Sequence, residues 1–204
     1  MASFSNTSTG DKTADPYLQK NIDEASLKEK VEDLIQFIDK VKFGLLTTQT
    51  ANSDLLASRA MALAAKEGNG FDLLFHTNTE SGKTDDLATH PSVNVGFITP
   101  SGEWASISGH ATVETDRSLV KKYYSPALKA WVGDLGDGTH DGGPEDPRIG
   151  IIRVKANTAQ YSVSRKGLIG SFVELAKGVS SGEAPAINKI RHISEAEVQQ
   201  WRAQ

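Results

Sequence analysis

The chain has no cysteine among its 204 residues, and that single absence removes disulfides, thiolate zinc sites and cysteine nucleophiles together. It fits a reducing compartment, so a cytoplasmic location is expected. No apolar run approaches the roughly 18 residues that span a bilayer, and no membrane partner is expected. Positive charge is in the minority: 22 Lys and Arg stand against 26 Asp and Glu, a formal net charge of −4. Nucleic-acid binders are usually basic, so none is expected as a partner. Residues 1–24 read as a polar N-terminal arm, Ser/Thr-rich up to Asp15, without the basic start and apolar stretch of a secretory signal. Catalytic signatures are equally sparse. There is no Walker-type phosphate loop and no GxSxG elbow. The histidines His76, His90, His110, His140 and His192 lack metal-ligand spacing, so no metal is expected.

What is present is a pattern that changes period. Leu27, Val31, Leu34, Ile35, Ile38 and Val41 recur at helical spacing and predict a helix over 25–42. Ser26 followed by Glu29 has the form of a capping box. Beyond Phe43 the chain becomes β-like. Strands are predicted over 43–49, 55–65, 71–77, 92–99, 104–114 and 149–163, separated by turns such as Ala51–Asp54 and Gly68-Asn69-Gly70. A short helix is predicted over 79–89, ended by His90-Pro91, and another over 116–132, with Ser125-Pro126 starting its second half. Short strands joined by turns favour an antiparallel barrel or sandwich over a parallel sheet. The barrel domain then covers 25–165. Residues 166–204 form a helical tail, with helices over 168–176 and 194–203, the second opened by a Ser194/Glu197 capping box. Trp131, Phe172 and Trp201 read as packing residues, and the acid-rich stretch Asp134–Asp146 as a solvated loop whose spacing does not fit an EF-hand.

The most informative stretch is Phe75-His76-Thr77-Asn78-Thr79-Glu80-Ser81-Gly82-Lys83. A strand ends, a polar loop follows and a helix begins, which leaves free backbone amides as an anion site. A lysine one turn into a helix is unfavourable unless an anion joins it. Arg59 lies mid-strand among Ala, Leu, Met and Ser, and its fork suits phosphate. Two readings stand side by side. Lys83 is either an anion ligand or a solvated lysine, and Arg59 either binds phosphate or pairs with a carboxylate at a barrel mouth. His76 offers a side chain for hydrogen bonding, or only its backbone if the side chain turns away.

These residues, Ser58-Arg59-Ala60-Met61, Phe75-His76-Thr77-Asn78-x-x-Ser81-x-Lys83, His90-Pro91 and Trp104-x-Ser106-x-x-Gly109, resemble the pyridoxamine 5'-phosphate oxidase-like flavin-binding split barrels, in the general stress protein and fungal blue-light-induced branch. The resemblance runs from about Ser26 to Val163. It implies a mainly β fold with peripheral helices: a six-stranded antiparallel Greek-key split barrel, assembled as a homodimer with flavin mononucleotide at the interface, or flavin adenine dinucleotide in its place. Arg59 and Lys83 would hold the phosphate with Ser81 in support. Ser58, Met61, Phe75, His76 and Thr77 would line the cofactor, largely through backbone near Met61 and His76–Thr77. Trp104 falls where the oxidases carry a glutamine and would shield the flavin from the partner chain. Two departures stand out. Gly82 replaces the arginine that precedes the lysine in the oxidases, and Ala159–Arg165 lacks their Trp- and Arg-rich ending. The resemblance therefore implies the cofactor without the oxidase's substrate. Three functions follow from it: a flavin-dependent oxidoreductase acting between an unidentified small-molecule donor and acceptor in a stress or light response, a flavin-binding dimer without turnover, or a cofactor-free interaction dimer.

Overall fold

The structure, a computed structural model, describes residues 15–165, 179 and 182–204; the helix expected over 168–176 lies outside them. Six strands close into a barrel: β1 (Phe43–Gln49), β2 (Leu56–Glu67), β3 (Asp72–Asn78), β4 (Ser92–Ile98), β5 (Trp104–Glu114) and β6 (Ile149–Ser164). Their spatial order is β3-β2-β1-β4-β5-β6, antiparallel throughout, and β6 pairs back onto β3 to complete the ring. Two three-strand meanders joined across the β1–β4 pair make this a Greek-key arrangement. The expected mainly β fold with peripheral helices is the one observed. Closure removes the barrel's free edges, and β6 is long enough to pair with β3 and β5 at once.

Alternation along the strands decides what enters the barrel. In β1 the residues Gly44, Leu46 and Thr48 are buried while Phe43 and Leu45 are exposed. Helix α2 (Leu27–Val41) lays Val31, Leu34, Phe37 and Ile38 on the same core. Ser26 accepts the Glu29 amide at 3.3 Å, yet the capping box stays half-formed because the Glu29 carboxylate is spent elsewhere, on Arg191. The helix ends at Lys42 in the left-handed region (φ 64°), and the Lys42 carbonyl accepts the Leu63 amide, continuing the β1–β2 ladder one step past Phe43–Ala62.

Four elements depart from the periodicity. The polar arm contains a short helix α1 (Pro16–Asn21), capped by Asp15. The single helix expected over 116–132 is two, α4 (Arg117–Tyr123) and α5 (Leu128–Val132), because Ser125-Pro126 sits in a turn and the N-cap of α5 is Ala127. The tail holds a strand, β7 (Asn188–Ile193), which extends the sheet beside β6 before α6 (Glu195–Arg202) and its complete Ser194/Glu197 capping box. What secures β7 is Arg191, 2% exposed, which donates to Asp23, Asp33 and Glu29 at 2.5–2.8 Å. Trp131, expected in packing, is 84% exposed, whereas Trp201 does pack on the core.

A second apolar cluster lies outside the barrel, where Leu74, Ile149 and Ile151 receive Val120 and both Tyr123 and Tyr124. It is bordered by the loop 133–147, which is not wholly solvated: Asp146 is fully buried and paired with Arg148 at 2.7 Å. The hydrogen-bonded Arg148 guanidinium outweighs burial and holds the Asp146 carboxyl at about 2, against an ordinary 3.8. A carboxyl depressed in this way contributes stability that is complete above pH 3.8 and is lost as the pH falls toward 2. The thermal midpoint of Asp146→Asn is therefore expected to fall less steeply across that window than the native one; parallel slopes would show that the pair does not contribute to acid stability. Among the described residues no helix is long and apolar enough to cross a membrane.

Candidate functional site

Helix α3 (Gly82–Thr89) covers one mouth of the barrel, sinking Leu87 into the core. The loop before it is tied to itself. Ser81 Oγ donates to the Asn78 carbonyl at 2.7 Å, and Thr84 Oγ1 donates to the carbonyls of Thr79 and Ser81 at 2.8 and 2.6 Å. Asn78 Oδ1 accepts the Glu80 amide at 2.8 Å. Ser81 occupies the N-cap position without making a side-chain cap; the Thr84 amide donates to the Ser81 carbonyl at 2.9 Å, and the Gly82 and Lys83 amides, which precede any intrahelical acceptor, are left for another one.

Lys83 folds back over this loop, its Nζ 2.5 Å from Ser81 Oγ. Arg59, on the inward face of β2, arrives at the same place from the barrel side. Burial pushes the Lys83 amine below its ordinary value, and repulsion from Arg59 pushes it further. Two cations thus converge with a hydroxyl and a helix start, a field that an anion relieves. The carboxylate pairing expected of Arg59 is observed here, and it does not use up the fork. One edge of its guanidinium pairs with Asp86 at 2.7 Å and donates to Thr48 Oγ1 at 2.6 Å, leaving further N–H donors of the fork unspent.

Asp86 is the residue that the sequence reading missed. Burial raises its pKa, but hydrogen bonds from Thr48, the Ala51 amide and Arg59 bring it below the ordinary carboxylate value. It accepts from all three at 2.7–3.0 Å. A signal was available: Lys83, Asp86 and Leu87 share one face of α3, so a buried leucine drags the acid toward the barrel. Asp86→Ala leaves a guanidinium, a hydroxyl and an amide without their acceptor, and is expected to cost about 2–3 kcal/mol of stability. Chemical denaturation would read this, and an unchanged midpoint would show that the acid does not organise the mouth.

The remaining predicted residues are spread over both faces of the sheet. Met61 and Phe75 are buried in the core, so only their backbone faces outward. Thr77 is buried, with its hydroxyl on the Asn78 carbonyl at 3.1 Å. His76 turns away from the loop: its ring lies against the Tyr123 backbone, and burial lowers its pKa against the opposing effect of that contact. Ser58 points to the outer face and bonds Thr47 at 2.8 Å. Trp104 is also on the outer face, opposite Ile98 and three strands from β2, so one chain does not bring it to Arg59. The structure therefore gathers Arg59, Ser81 and Lys83, and leaves Trp104 apart.

The outer face of β2, β1 and β4 has a second distinctive feature. Phe43, Leu45, Leu56 and Ile98 are 50–71% exposed, and Phe43, Leu45 and Ile98 border, with Ala60 and Gly96, a shallow groove of about 800 Å3. Exposed apolar side chains concentrated on one sheet face mark a surface that another surface covers.

Comparison with known proteins agrees with this architecture. Protein bli-3 of Neurospora crassa is 55% identical over 202 residues, covering 98% of this chain and 97% of its own. General Stress Protein 26 of Bacillus anthracis superposes with a TM-score of 0.51 at 26% identity, over 63% of this chain and 92% of the other. The general stress FMN/FAD binding protein of Xanthomonas citri superposes with a TM-score of 0.53 at 24% identity, over 66% and 88%. The profile of the family described as pyridoxamine 5'-phosphate oxidase like matches residues 29–186, most of the chain including the whole barrel and the loop that carries Ser81 and Lys83. The chain belongs to the pyridoxamine 5'-phosphate oxidase-like family.

Proposed function

We propose that this protein binds flavin mononucleotide, with its phosphate on Arg59, Ser81 and Lys83. The observation that carries the reading is the convergence of Arg59 and Lys83 on the start of α3, where Asp86 pairs with Arg59 and, among the described residues, no ion pair is formed by Lys83. The residues fit a phosphate monoester: two charged donors, a hydroxyl and backbone amides at a helix start. In this reading the backbone near Met61 and His76–Thr77 lies along the ring, and Ser58 and Phe75 shape the strands that present it. A bound flavin supplies reversible hydride and electron transfer, which amino-acid side chains do not. The chain's own part is to hold the phosphate, fix the ring's position and set the local charge. The Xanthomonas citri relative, described as binding FMN or FAD, supports a flavin and leaves flavin adenine dinucleotide as the alternative ligand.

The outer apolar face supports a homodimer in which Trp104 of one chain reaches the flavin of the other. Replacing Ile98, 71% exposed, by Asp puts a charge in that face, and is expected to yield monomers with weakened flavin binding. Sedimentation velocity checks this; a variant that stays dimeric would move the interface elsewhere.

The activity we propose is a flavin-dependent oxidoreductase in the cytoplasm, with a small-molecule donor and acceptor. The general stress designation of the bacterial relatives supports a role in a stress response. One observation favours a second reading, flavin binding without turnover: His76 is turned under α4, so the motif's histidine is withdrawn as a proton donor. Titrating flavin mononucleotide and riboflavin into the protein tests the site. Following NADH- and NADPH-dependent reduction of the bound flavin, then its reoxidation by added acceptors, separates the two readings. A protein that binds neither flavin would overturn both.

A further inference from the structure

The phosphate loop is tied to itself by the bonds given above, so what matters is what it hangs from. Its backbone strut to the rest of the protein is the Thr79 amide, which donates to the Arg148 carbonyl at 2.7 Å. This continues the β3–β6 ladder one step past the Asn78–Ile149 pair. The loop thus takes its height above the barrel mouth from the backbone of residue 148.

Residue 148 is in turn fixed by an ion pair that the proposed chemistry does not use. Arg148 Nε and Nη2 bond the two oxygens of Asp146 at 3.1 and 2.7 Å, while the Arg148 amide donates to Asp146 Oδ1 at 2.9 Å. The guanidinium's other edge donates to the carbonyls of Val132 and Gly133 at 3.2 and 2.8 Å, gripping the end of α5. Asp146 also accepts the Gly142 amide at 2.7 Å. The side chains are 7% and 0% exposed. Desolvation offsets part of the attraction in an ion pair this buried, and what survives is the acid-sensitive stability described above. The pair's bidentate geometry also fixes position. The contact onward to the loop is also tight: a methyl at Gly150 would lie 2.7 Å from Thr79 Cγ2, so a displaced start of β6 would move Thr79 with it.

We infer that the buried Asp146–Arg148 pair is a positioning device for the phosphate-binding loop, setting its height through the Arg148 carbonyl and the Thr79 amide. This rests on the proposed phosphate site. The pair acts at a distance, through the loop, and is assigned no contact with the ligand.

The test is the double variant Asp146→Asn/Arg148→Met, which removes both buried charges and so leaves neither unpaired. Flavin mononucleotide and riboflavin are titrated into variant and native protein. The expected result is a loss of about ten- to hundred-fold in affinity for the mononucleotide, the scale of losing one charge-assisted hydrogen bond to the phosphate, with riboflavin affinity unchanged. The preference for the phosphorylated ligand would thereby collapse in a folded protein. Equal losses for both ligands would mean a general structural role and overturn the inference, as would an unchanged preference. If the double variant does not fold, Arg148→Lys takes its place; it keeps the charge but not the fork, and the same selective loss is expected. A native protein without preference for the phosphorylated flavin would instead overturn the phosphate site itself, and this inference with it.

Discussion

Replacing Arg59 and Lys83 together by alanine is expected to weaken flavin mononucleotide binding by roughly 10²- to 10⁴-fold while leaving riboflavin affinity near native. Charge-assisted hydrogen bonds contribute roughly 1.5–3 kcal/mol each, so two of them amount to about 3–6 kcal/mol. The selectivity matters more than the size. The two cations meet at the start of α3, at the barrel mouth, so they act on the phosphate end of the ligand. Arg59→Ala has a second consequence, because Asp86 loses its guanidinium partner, and circular dichroism must show that the variant is folded. Lys83→Ala alone leaves the Arg59–Asp86 pair intact and is expected to lose about tenfold or more. Fluorescence titration with both flavins decides the matter. Equal binding by native and double-variant protein would remove the phosphate from this site and bring forward the cofactor-free interaction dimer.

The second large effect concerns the fold. Gly109→Ala is expected to destabilise the protein by at least about 3 kcal/mol, the upper range for forced overpacking. A Cβ at this position would lie 2.1 Å from the Lys155 carbonyl oxygen and 2.9 Å from Ala156 Cα. Both obstacles are backbone, so no side-chain rotation relieves them. The approach is this close because β5 and β6 change register between Ser108 and Gly109, and the bulge presses one strand onto the other. β6 is also the partner of β3 and β7, so a local opening spreads across the sheet. A loss of this size lowers the melting temperature by roughly 6–12 °C in a domain of this length. Gly82→Ala is the control: no atom lies within 4 Å of its added methyl, and it is expected to be neutral or slightly stabilising. A Gly109→Ala protein melting with the native one would show that the strands have room to part.

Much of this architecture is legible from local pattern. The six barrel strands and helix α2 follow from period-two and helical spacing, since their buried faces are mostly apolar, with Thr48, Arg59 and Thr77 as the polar interruptions. The loop before α3 was readable because its signal is local: a strand end, polar turn residues and a lysine in the first turn of a helix. Strand β7 was not readable, because its buried set includes Arg191, and burial of an arginine depends on acids supplied by Asp23, Glu29 and Asp33 far away in the chain. Trp131 was misread for the converse reason: helical spacing shows that a residue lies on a face, and only the neighbouring elements show whether anything covers that face.

By itself, then, the sequence determined the strand and helix alternation, the absence of cysteine, and the motif residues, Arg59, Ser81 and Lys83 among them, that carry the family resemblance. Tertiary structure alone decided that Asp86 pairs with Arg59, that His76 turns under α4, that Trp104 stands three strands from β2, and that the Arg148 carbonyl accepts the Thr79 amide. The division has one physical cause. Periodicity and first-turn electrostatics act between residues a few positions apart, where the sequence records them. The Arg59–Asp86 pair, the Thr79–Arg148 hydrogen bond, strand order and the covering of a surface join residues tens of positions apart, and those contacts exist only once the barrel has closed.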